Sequence, residues 1–405
     1  MPVRTSHALI LLLLLTTGIQ RLHAAAYTVA LSGNTTQLRV SEMRYLQDAA
    51  AGISPQLFYV WLLAGSIDTV TAMPFDRGYQ QGRYLLGFSL TNSGEQPQSL
   101  QLATGVSSRP LLNIILFDDN GNHRNLLQHH GRAGFEQRPV AAPELYSRAF
   151  RLAPGQTVYI VIEYETNGDS YLPLTLGTGA TLAQQRREAR YSAMLYYGTG
   201  MLLLLCLAAW GIVESSRVAL AYSLLFALAW LTIASIEGYA FQYLWPARAQ
   251  WNHDAPLLLL YSLSALGLLV ARMAVFATDN NTALHRAMTL AAMLSLLLAL
   301  ATPFISAEPL QAAAGGLVTA MFAAHIYAWF NRLSRQPRLA GFAFPLALLL
   351  LLSASALLLI SQNHALAPTW LGVDALRILT LIAQLGALSI LPLTRGDDSA
   401  PPTKR

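Results

Sequence analysis

Residues Tyr191 to Val213 read YSAMLYYGTGMLLLLCLAAWGIV, an apolar stretch that contains no charged side chain. About 20 helical residues cross a hydrocarbon core about 30 Å thick, because each residue lengthens a helix by about 1.5 Å. This stretch is therefore long enough to span a membrane. Comparable apolar blocks recur along the rest of the chain, and we predict seven spans near residues 191–213, 217–236, 255–276, 286–305, 309–330, 339–361 and 370–393.

Composition divides the chain into an aqueous part and a membrane part. Of its 405 residues, 54% are hydrophobic and only 12% are charged, whereas soluble domains carry about 25% charged residues. The apolar excess lies in the second half. We therefore predict a multidomain membrane protein, with an all-β domain at residues 27–182 and an all-α bundle of seven transmembrane helices at residues 191–393. Residues 183–190 form a polar, basic neck between them.

The positions of arginine and lysine predict the orientation of the spans, because cytoplasmic loops are enriched in these residues. With the N-terminal domain outside the cytoplasm, the outer loops between spans contain only Arg248. The inner segments then contain Arg217, Arg272, Arg286, Arg332, Arg335, Arg338, Arg395, Lys404 and Arg405. This bias predicts a multi-pass membrane protein with the lipid bilayer as a partner and a cytoplasmic C-terminus. The N-terminal domain is neutral overall, so no nucleic-acid partner is expected.

Both ends of the chain carry recognisable signals. Residues 1–26 combine Arg4, an apolar run at residues 8–15 and small residues at 24–26, which is typical of a cleaved signal peptide. Residues 394–405 are polar and contain proline. We expect them to form a disordered cytoplasmic tail, with no output domain after the seventh span.

The N-terminal domain shows short strand patterns separated by turn residues. Residues 84–90, 111–117 and 157–164 are rich in β-formers, and each run is followed by a turn that contains glycine. Strands of this length and spacing predict a β-sandwich of jelly-roll type. The segment from Val40 to Asp48 is predicted to be a short helix or turn instead.

Several motifs in this domain resemble a known sensor module. Arg44 to Asp48 (RYLQD) is similar to its YLED opening, and Arg138-Pro139 matches its RP motif. Residues 153–156 (APGQ) and 171–176 (YLPLTL) are similar to its PPGE turn and its final LPL strand. With the apolar blocks that follow, the chain resembles the bacterial seven-transmembrane receptors with diverse intracellular signalling modules. That resemblance implies an extracellular jelly-roll sensor of carbohydrate-binding type and a seven-helix membrane domain. It also implies a bacterial inner membrane as the location, with the N-terminal domain in the periplasm.

The resemblance also has local departures. The family strand carries Trp and Arg where this chain has Leu85 and Gly87, and a basic family position is occupied here by Glu163. Relatives commonly carry a kinase, cyclase or phosphatase module after the last span, where this sequence has only its short tail. Signalling would therefore require a separate partner.

A glycan or small-molecule site needs flat aromatic faces and side chains that hydrogen-bond hydroxyl groups. The candidates for such a site are Trp61, Tyr84, Arg109, Arg138, Tyr146 and Asp169. The alternative is that the aromatic rings fill the domain core and the charges lie on solvated loops. No catalytic arrangement stands out, and His123, His129 and His130 lack a partner that completes a metal-ligand spacing. We therefore expect no enzyme activity, metal or cofactor.

Polar residues inside membrane spans are costly and often functional. The candidates of this kind are Glu237, His325, Asp374 and Arg377. Asp374 and Arg377 are three residues apart, so they share a helix face and can form a local pair. The alternative is a polar pocket in the bundle that responds to the sensor domain.

Two hypotheses about function remain open at this point. The first is an inner-membrane sensory receptor that binds an extracytoplasmic ligand, such as a carbohydrate, and signals through a separate cytoplasmic or membrane partner. The second is a membrane scaffold or accessory subunit of an envelope-modifying or export complex. Homodimer formation is compatible with both.

Overall fold

The computed structural model describes residues 38–48, 52–71, 75, 77, 82–106, 111–131, 133–138, 140–166, 170, 172–276, 282–305, 313, 314, 317 and 373–390. The predicted signal peptide, the predicted span 339–361, nearly all of the predicted span 309–330 and the predicted tail lie outside these residues.

The first part of the described chain is a β-sheet-rich domain, called here the sheet domain. Its strands are β1 (Leu38–Val40), β2 (Met43–Gln47), β3 (Val70–Thr71), β4 (Gly82–Asn92), β5 (Gln98–Val106), β6 (Leu111–Phe117), β7 (His123–His130), β8 (Glu144–Tyr146), β9 (Phe150–Leu152), β10 (Thr157–Thr166) and β11 (Leu174–Thr178). The large sheet has the order β3-β2-β4-β10-β6-β7, and β1 also pairs with β4. The small sheet has the order β11-β5-β8, and β9 also pairs with β5.

Both sheets contribute to one hydrophobic core. Strand side chains alternate between the two faces of a sheet, and the even-numbered residues of β4, such as Tyr84, Leu86 and Phe88, point inward. They pack in the same cluster as Leu102 of β5 and Leu176 of β11. The sheet domain therefore consists of two antiparallel sheets packed face to face.

The prediction of a helix or turn from Val40 to Asp48 is wrong, because this segment forms the end of β1 and all of β2. Strand β2 pairs with β4 on one side and with β3 on the other. Its Tyr45 ring also lies edge-on to Phe75, with ring centroids 5.1 Å apart. Pairing with distant strands thus overrides the weak local preference of this segment.

Helix α1 (Pro55–Leu63) covers the outer face of the large sheet. The Ser54 side chain caps it by accepting a hydrogen bond from the Leu57 N–H. Phe58 and Tyr59 are buried against the sheet. The helix can approach closely because β4 has a glycine here: a Cβ at Gly87 would lie 2.8 Å from both Phe58 and Leu62.

The second part of the chain is helical. Its described helices are α2 (Gly179–Val213), α3 (Arg217–Ile236), α4 (Tyr239–Tyr243), α5 (Ala249–Phe276), α6 (Thr282–Ala301) and α7 (Val373–Ile390). In the described chain, two helical segments are long and apolar enough to cross a membrane, Gly179–Val213 and Ala219–Ile236. Shorter apolar segments lie at Asp254–Val270, His285–Ala301 and Arg377–Leu388. The full count of seven spans stays a prediction.

Helix α2 is continuous from the sheet domain into the helical part. It begins directly after β11, where the Thr178 side chain accepts a hydrogen bond from the Thr181 N–H. The neck predicted at residues 183–190 is therefore part of this helix. Leu182 packs against Tyr146 and Ala142 of the sheet domain, so the first turns of α2 lie on the sheet domain itself.

Helices α2 and α3 pack closely at a glycine. A Cβ at Gly200 would lie only 1.3 Å from the Trp230 ring, so the indole occupies the space that a side chain at position 200 would fill. Trp230 also stacks on Tyr196, with ring centroids 5.0 Å apart. The missing side chain at Gly200 therefore allows an aromatic contact that holds the two helices together.

Candidate functional site

A buried ion pair joins α7 to the end of α3. The Arg377 Nε atom lies 2.6 Å from Oε1 of Glu237, and the Glu237 side chain is only 6% exposed. The Tyr197 hydroxyl of α2 donates a hydrogen bond of 2.9 Å to the other carboxylate oxygen. Side chains of α2 and α7 thus meet at the carboxylate that ends α3.

Local structure explains the position of Glu237. This residue is the C-cap of α3, and its N–H still bonds to the Ile233 carbonyl. The next residue, Gly238, has a left-handed φ of 81°, which glycine adopts without strain and which is common after a helix. The chain therefore turns sharply into α4, and the carboxylate stays at the end of the bundle.

Aromatic rings surround this ion pair. The Arg377 guanidinium lies 5.6 Å from the Tyr196 ring centroid. Tyr197 is edge-on to both Trp230, at 5.4 Å, and Tyr239, at 5.8 Å. Cation–π contacts stabilise a cation most when water is excluded. The guanidinium is thus held by the Glu237 carboxylate and by the Tyr196 ring.

The sequence predicts a local pair of Asp374 and Arg377. Among the described residues, Arg377 pairs with Glu237 and also donates a hydrogen bond of 3.3 Å to Ser192. The backbone of Asp374 lies in the first turn of α7, but its side chain is outside the described residues. A contact between Asp374 and Arg377 stays a prediction.

On the sheet-domain side, a short 3₁₀ helix at Phe135–Gln137 contacts α4. The Phe135 N–H donates a hydrogen bond of 2.8 Å to the Pro246 carbonyl. The Phe135 ring is edge-on to Phe241 of α4, with centroids 5.6 Å apart. This contact joins the loop after β7 to the connection between α3 and α5.

Arg138 lies in the same contact. Its guanidinium lies 4.9 Å from the Phe135 ring centroid and 5.3 Å from that of Phe241. It also donates hydrogen bonds to the carbonyls of Ala142 and Pro143. Burial lowers the pKa of Arg138 to about 10, so the side chain remains charged at neutral pH. Its described contacts therefore stabilise the loop and hold it against α4.

Strand β8 contacts α2 and lies near α4. The Arg186 guanidinium of α2 lies 5.3 Å from the Tyr146 ring centroid. Burial, followed by the charge of Glu144, raises the pKa of Tyr146 to about 12. The same two causes, in the same order, raise the pKa of Tyr239 in α4 to about 12. The Glu144 carboxylate is thus close enough to act on rings of two elements.

These contacts form one continuous region, called here the junction. The loop after β7 and strand β8 of the sheet domain contact α4 and α2, respectively, and these two helices lead to the end of α3 and the start of α7. The junction residues are Phe135, Arg138, Glu144, Tyr146, Arg186, Tyr196, Tyr197, Glu237, Tyr239, Phe241 and Arg377.

A comparison with family models gives the helical part an identity. Residues 189–391 match the model of the 7TM diverse intracellular signalling family, which is half of the chain. The chain belongs to this family. A search of curated proteins found no match. The match begins within α2, ten residues after the helix starts, and includes Glu237 and Arg377 of the junction.

Membership of the 7TM diverse intracellular signalling family confirms the resemblance inferred from the sequence. It supports a membrane sensory receptor and a membrane location. The sequence had singled out four junction residues, Arg138, Tyr146, Glu237 and Arg377. It missed the aromatic partners and Arg186, although the adjacent Tyr196 and Tyr197 near the start of a predicted span were a usable signal.

Of the other ligand candidates, the structure describes Tyr84 and Trp61, which lie on opposite faces of the large sheet. Tyr84 is fully buried and stacks on Tyr164, with centroids 5.3 Å apart. Its position in β4 points into the core, as the alternative of core-filling aromatic rings expects. Trp61 is half-buried on α1, on the opposite face of the large sheet. Arg109, Asp169 and His325 lie outside the described residues.

The residues at which this chain departs from the family motif lie on the outer face of the large sheet. Leu85 is fully buried there beneath α1. Glu163 accepts hydrogen bonds from Arg83 at 2.6 Å and from Asn113 at 2.9 Å, and Arg83 also pairs with Asp48. In this family member, α1 and a network of ion pairs thus cover the outer face.

The three histidines of β7 do not form a metal site within the described residues, which contain no group of three or more His, Cys, Asp or Glu suited to a metal ion. His129 is buried on β7. Burial, with smaller contributions from Arg138 and His130, lowers its pKa to about 4. His129 is therefore neutral at physiological pH.

Proposed function

We propose that this protein is a sensory receptor of the bacterial inner membrane whose sheet domain binds an extracytoplasmic ligand and whose helices signal through a separate partner. The junction carries this proposal. It connects the sheet domain to the ion pair of Glu237 and Arg377 through contacts of named side chains. The protein would act by changing conformation and would catalyse no reaction of its own.

The proposed signal is a displacement of the sheet domain relative to the helices. Tyr146 contacts α2 through Arg186, whereas Phe135 and Arg138 contact α4 through Phe241. A shift of the loop and β8 would therefore act on two helical elements at once. Because α2 runs without a break to Val213, a tilt at its first turns would also move its far end.

The buried ion pair gives the proposed switch two discrete states. Separating Glu237 from Arg377 would leave two charges in an apolar bundle, which costs several kcal/mol. Intermediate separations are therefore disfavoured, and the helices have either the paired arrangement or another that satisfies both charges. Elements with two arrangements of this kind are what couple distant sites.

For the ligand, we propose a glycan or another small polar molecule. The two face-to-face antiparallel sheets and the family resemblance favour a carbohydrate-binding jelly roll. Trp61 is the aromatic candidate that keeps an accessible surface, and Arg109 and Asp169 are its proposed polar partners. Tyr146 and Arg138 are better suited to transmit the signal than to bind the ligand.

The decisive experiment measures ligand binding and helix movement in the same full-length protein. Cys206 is replaced by serine, and spin labels are placed at Asn120 in the sheet domain and at Val213 at the end of α2. Glycans and small carboxylates are then screened by thermal shift. We expect a ligand that raises the melting temperature also to change the distance between the labels.

The variant Arg138→Gln separates binding from transmission. It should keep the thermal shift and lose the change in distance, because its contacts with Phe241 are removed while the proposed ligand residues remain. Arg124→Gln, which alters an exposed position of β7, is the matched control and should keep both. A screen in which no compound shifts the melting temperature would remove the support for sensing.

A scaffold function has one observation in its favour. The outward face of α1 exposes the apolar residues Leu57, Val60 and Leu63, and exposed apolar patches often mark protein-binding surfaces. In that case, a crosslinker at Val60 would capture one stoichiometric subunit of an envelope complex in native membranes. The receptor hypothesis instead expects a conformational response to a small ligand.

A further inference from the structure

The N-terminal half of α2 has two exposed arginines on its surface. Arg187 and Arg190 are both exposed, and neither forms an ion pair within the part of the chain that the structure describes. The nearby Arg186 differs, because its guanidinium lies over the Tyr146 ring. Glu188 accepts a hydrogen bond from Gln184 and offsets one charge, so this surface keeps a net positive charge.

The same surface continues into an apolar stripe. Tyr191 is 67% exposed and Leu195 is 73% exposed. Exposed apolar residues recur further down at the spacing of helical turns, at Met194, Met201, Leu202 and Leu205. The buried residues of α2, among them Tyr196 and Gly200, belong to its opposite side, which packs on α3. On a membrane-spanning helix, an exposed stripe of this kind suits contact with lipid acyl chains.

Helix length places the arginines at the depth of lipid headgroups. The apolar stretch from Tyr191 to Val213 alone spans a hydrocarbon core about 30 Å thick. Arg190 and Arg187 then lie about 2 and 6 Å beyond its edge along the helix axis. The headgroup layer extends about 5–7 Å beyond the hydrocarbon on each side, so both guanidinium groups lie within it.

We propose that Arg187 and Arg190 bind the phosphate of an anionic phospholipid in the leaflet on the sheet-domain side. A guanidinium group matches a phosphate with two parallel hydrogen bonds. The Tyr191 ring lies at the interface, where tyrosine is favoured, and Met194 and Leu195 contact the acyl chain. A site that offers arginines to a phosphate and an apolar stripe to acyl chains fits a phospholipid, whereas a free phosphate would contact only the arginines.

The site has a consequence for the junction, although it does not depend on the proposed sensing function. The lipid would bind the same helix that carries Arg186, Tyr196 and Tyr197. Its binding would favour one tilt of α2 over others. The anionic lipid content of the membrane would thereby bias the position of this helix even in the absence of a sensor ligand.

Lipid binding by the full-length protein in detergent tests this proposal directly. The protein is titrated with phosphatidylglycerol or with phosphatidylcholine, and bound lipids are counted by native mass spectrometry. We expect phosphatidylglycerol to bind more tightly. The double variant R187Q/R190Q should lower its affinity about thirtyfold, since each arginine near anionic lipid contributes about 1 kcal/mol. R187K/R190K should retain most of the binding.

Two controls make each outcome decisive. R124Q/R151Q removes the same charge from exposed strand positions of the sheet domain and should bind phosphatidylglycerol normally. Inorganic phosphate at the same concentration as the lipid should not compete with phosphatidylglycerol for binding. Unchanged binding by R187Q/R190Q, equal binding of both lipids or full competition by inorganic phosphate would each overturn the proposal. Circular dichroism verifies that every variant is folded.

Discussion

The Nε atom of Arg377 lies 2.6 Å from the Oε1 atom of Glu237, which links the last described helix to the C-terminal end of α3. A hydrogen bond of 2.9 Å from Tyr197 ties α2 to the same carboxylate. Both charged side chains are largely buried. Removing one partner would therefore leave an uncompensated charge in an apolar environment.

Glu237→Gln and Arg377→Met should each destabilise the helical part strongly. Breaking a buried pair by removing one partner costs about 3–5 kcal/mol, whereas replacing both partners costs much less. The double variant E237Q/R377M should therefore be more stable than the sum of the single losses predicts. The measurement is the free energy of unfolding in SDS titrations of the detergent-purified protein. Strict additivity of the two losses would show that the pair is not coupled.

Gly200→Ala should destabilise the packing of α2 on α3. The new methyl group would lie 1.3 Å from the Trp230 ring, so the indole must move, and overpacking of this kind costs about 1–3 kcal/mol. Gly198→Ala is the matched control, because nothing lies within 4 Å of its Cβ position. It should be neutral or stabilising by up to about 1 kcal/mol, since alanine favours helices.

Unfolding in SDS and near-ultraviolet circular dichroism of the tryptophans would separate the two glycine variants. The signal of Trp230 should change only in Gly200→Ala. If Gly198→Ala and Gly200→Ala behave alike, the close contact between Gly200 and Trp230 does not hold α2 against α3.

Phe135 and Phe241 should be energetically coupled across the junction. Aromatic pairs in contact contribute about 0.5–1.5 kcal/mol beyond their buried area. In a double-mutant cycle of F135A and F241A, hydrogen exchange of the α4 amides reports the local opening free energy. We expect a coupling energy within that range. Phe304→Ala, at a highly exposed ring, should show no coupling with F135A.

Acidification should destabilise the sheet domain through His129. Its pKa is about 4 in the folded protein, mainly because of burial, against 6.5 when unfolded. Below pH 6.5 the unfolded chain takes up the proton first. The stability contributed by the neutral ring is therefore complete above pH 6.5 and is lost as the pH falls towards 4. The loss amounts to about 3 kcal/mol.

Thermal unfolding of the full-length protein between pH 7.5 and 4.5 tests this dependence. His129→Gln should flatten the curve in that window, because the titrating group is gone. His123→Gln changes an exposed histidine at the other end of β7 and should leave the slope as it is. An unchanged slope in His129→Gln would mean that other groups cause the acid sensitivity.

Local patterns predicted the regular elements well. The predicted span 217–236 coincides with α3 at Arg217–Ile236, where Ser216 caps the helix. The predicted strand 111–117 coincides with β6 at Leu111–Phe117. Hydrophobic periodicity, segment length and flanking turn residues depend only on residues that are close in the sequence. They can therefore be recognised without knowledge of the fold. The span predicted at 255–276 already shows the limit, because α5 begins earlier, at Ala249.

The candidate site was predicted only in part. Alternation along β4 shows that Tyr84, Leu86 and Phe88 share a face, but the position of the small sheet makes that face the core. Likewise, the RP motif singled out Arg138, whereas only its packing between Phe135 and Phe241 connects it to the helices. Which face is buried depends on elements that are distant in the sequence.

By itself, the sequence determined that the chain has a sheet domain followed by apolar helices, and which polar side chains would lie among those helices. Only the tertiary structure decided that Arg377 pairs with Glu237, that β8 lies against α2 and that Arg138 lies against α4. The physical reason is the range of the interactions. Helix and strand patterns follow from contacts within a few residues, whereas ion pairs and sheet-to-helix contacts form only after distant segments have packed together.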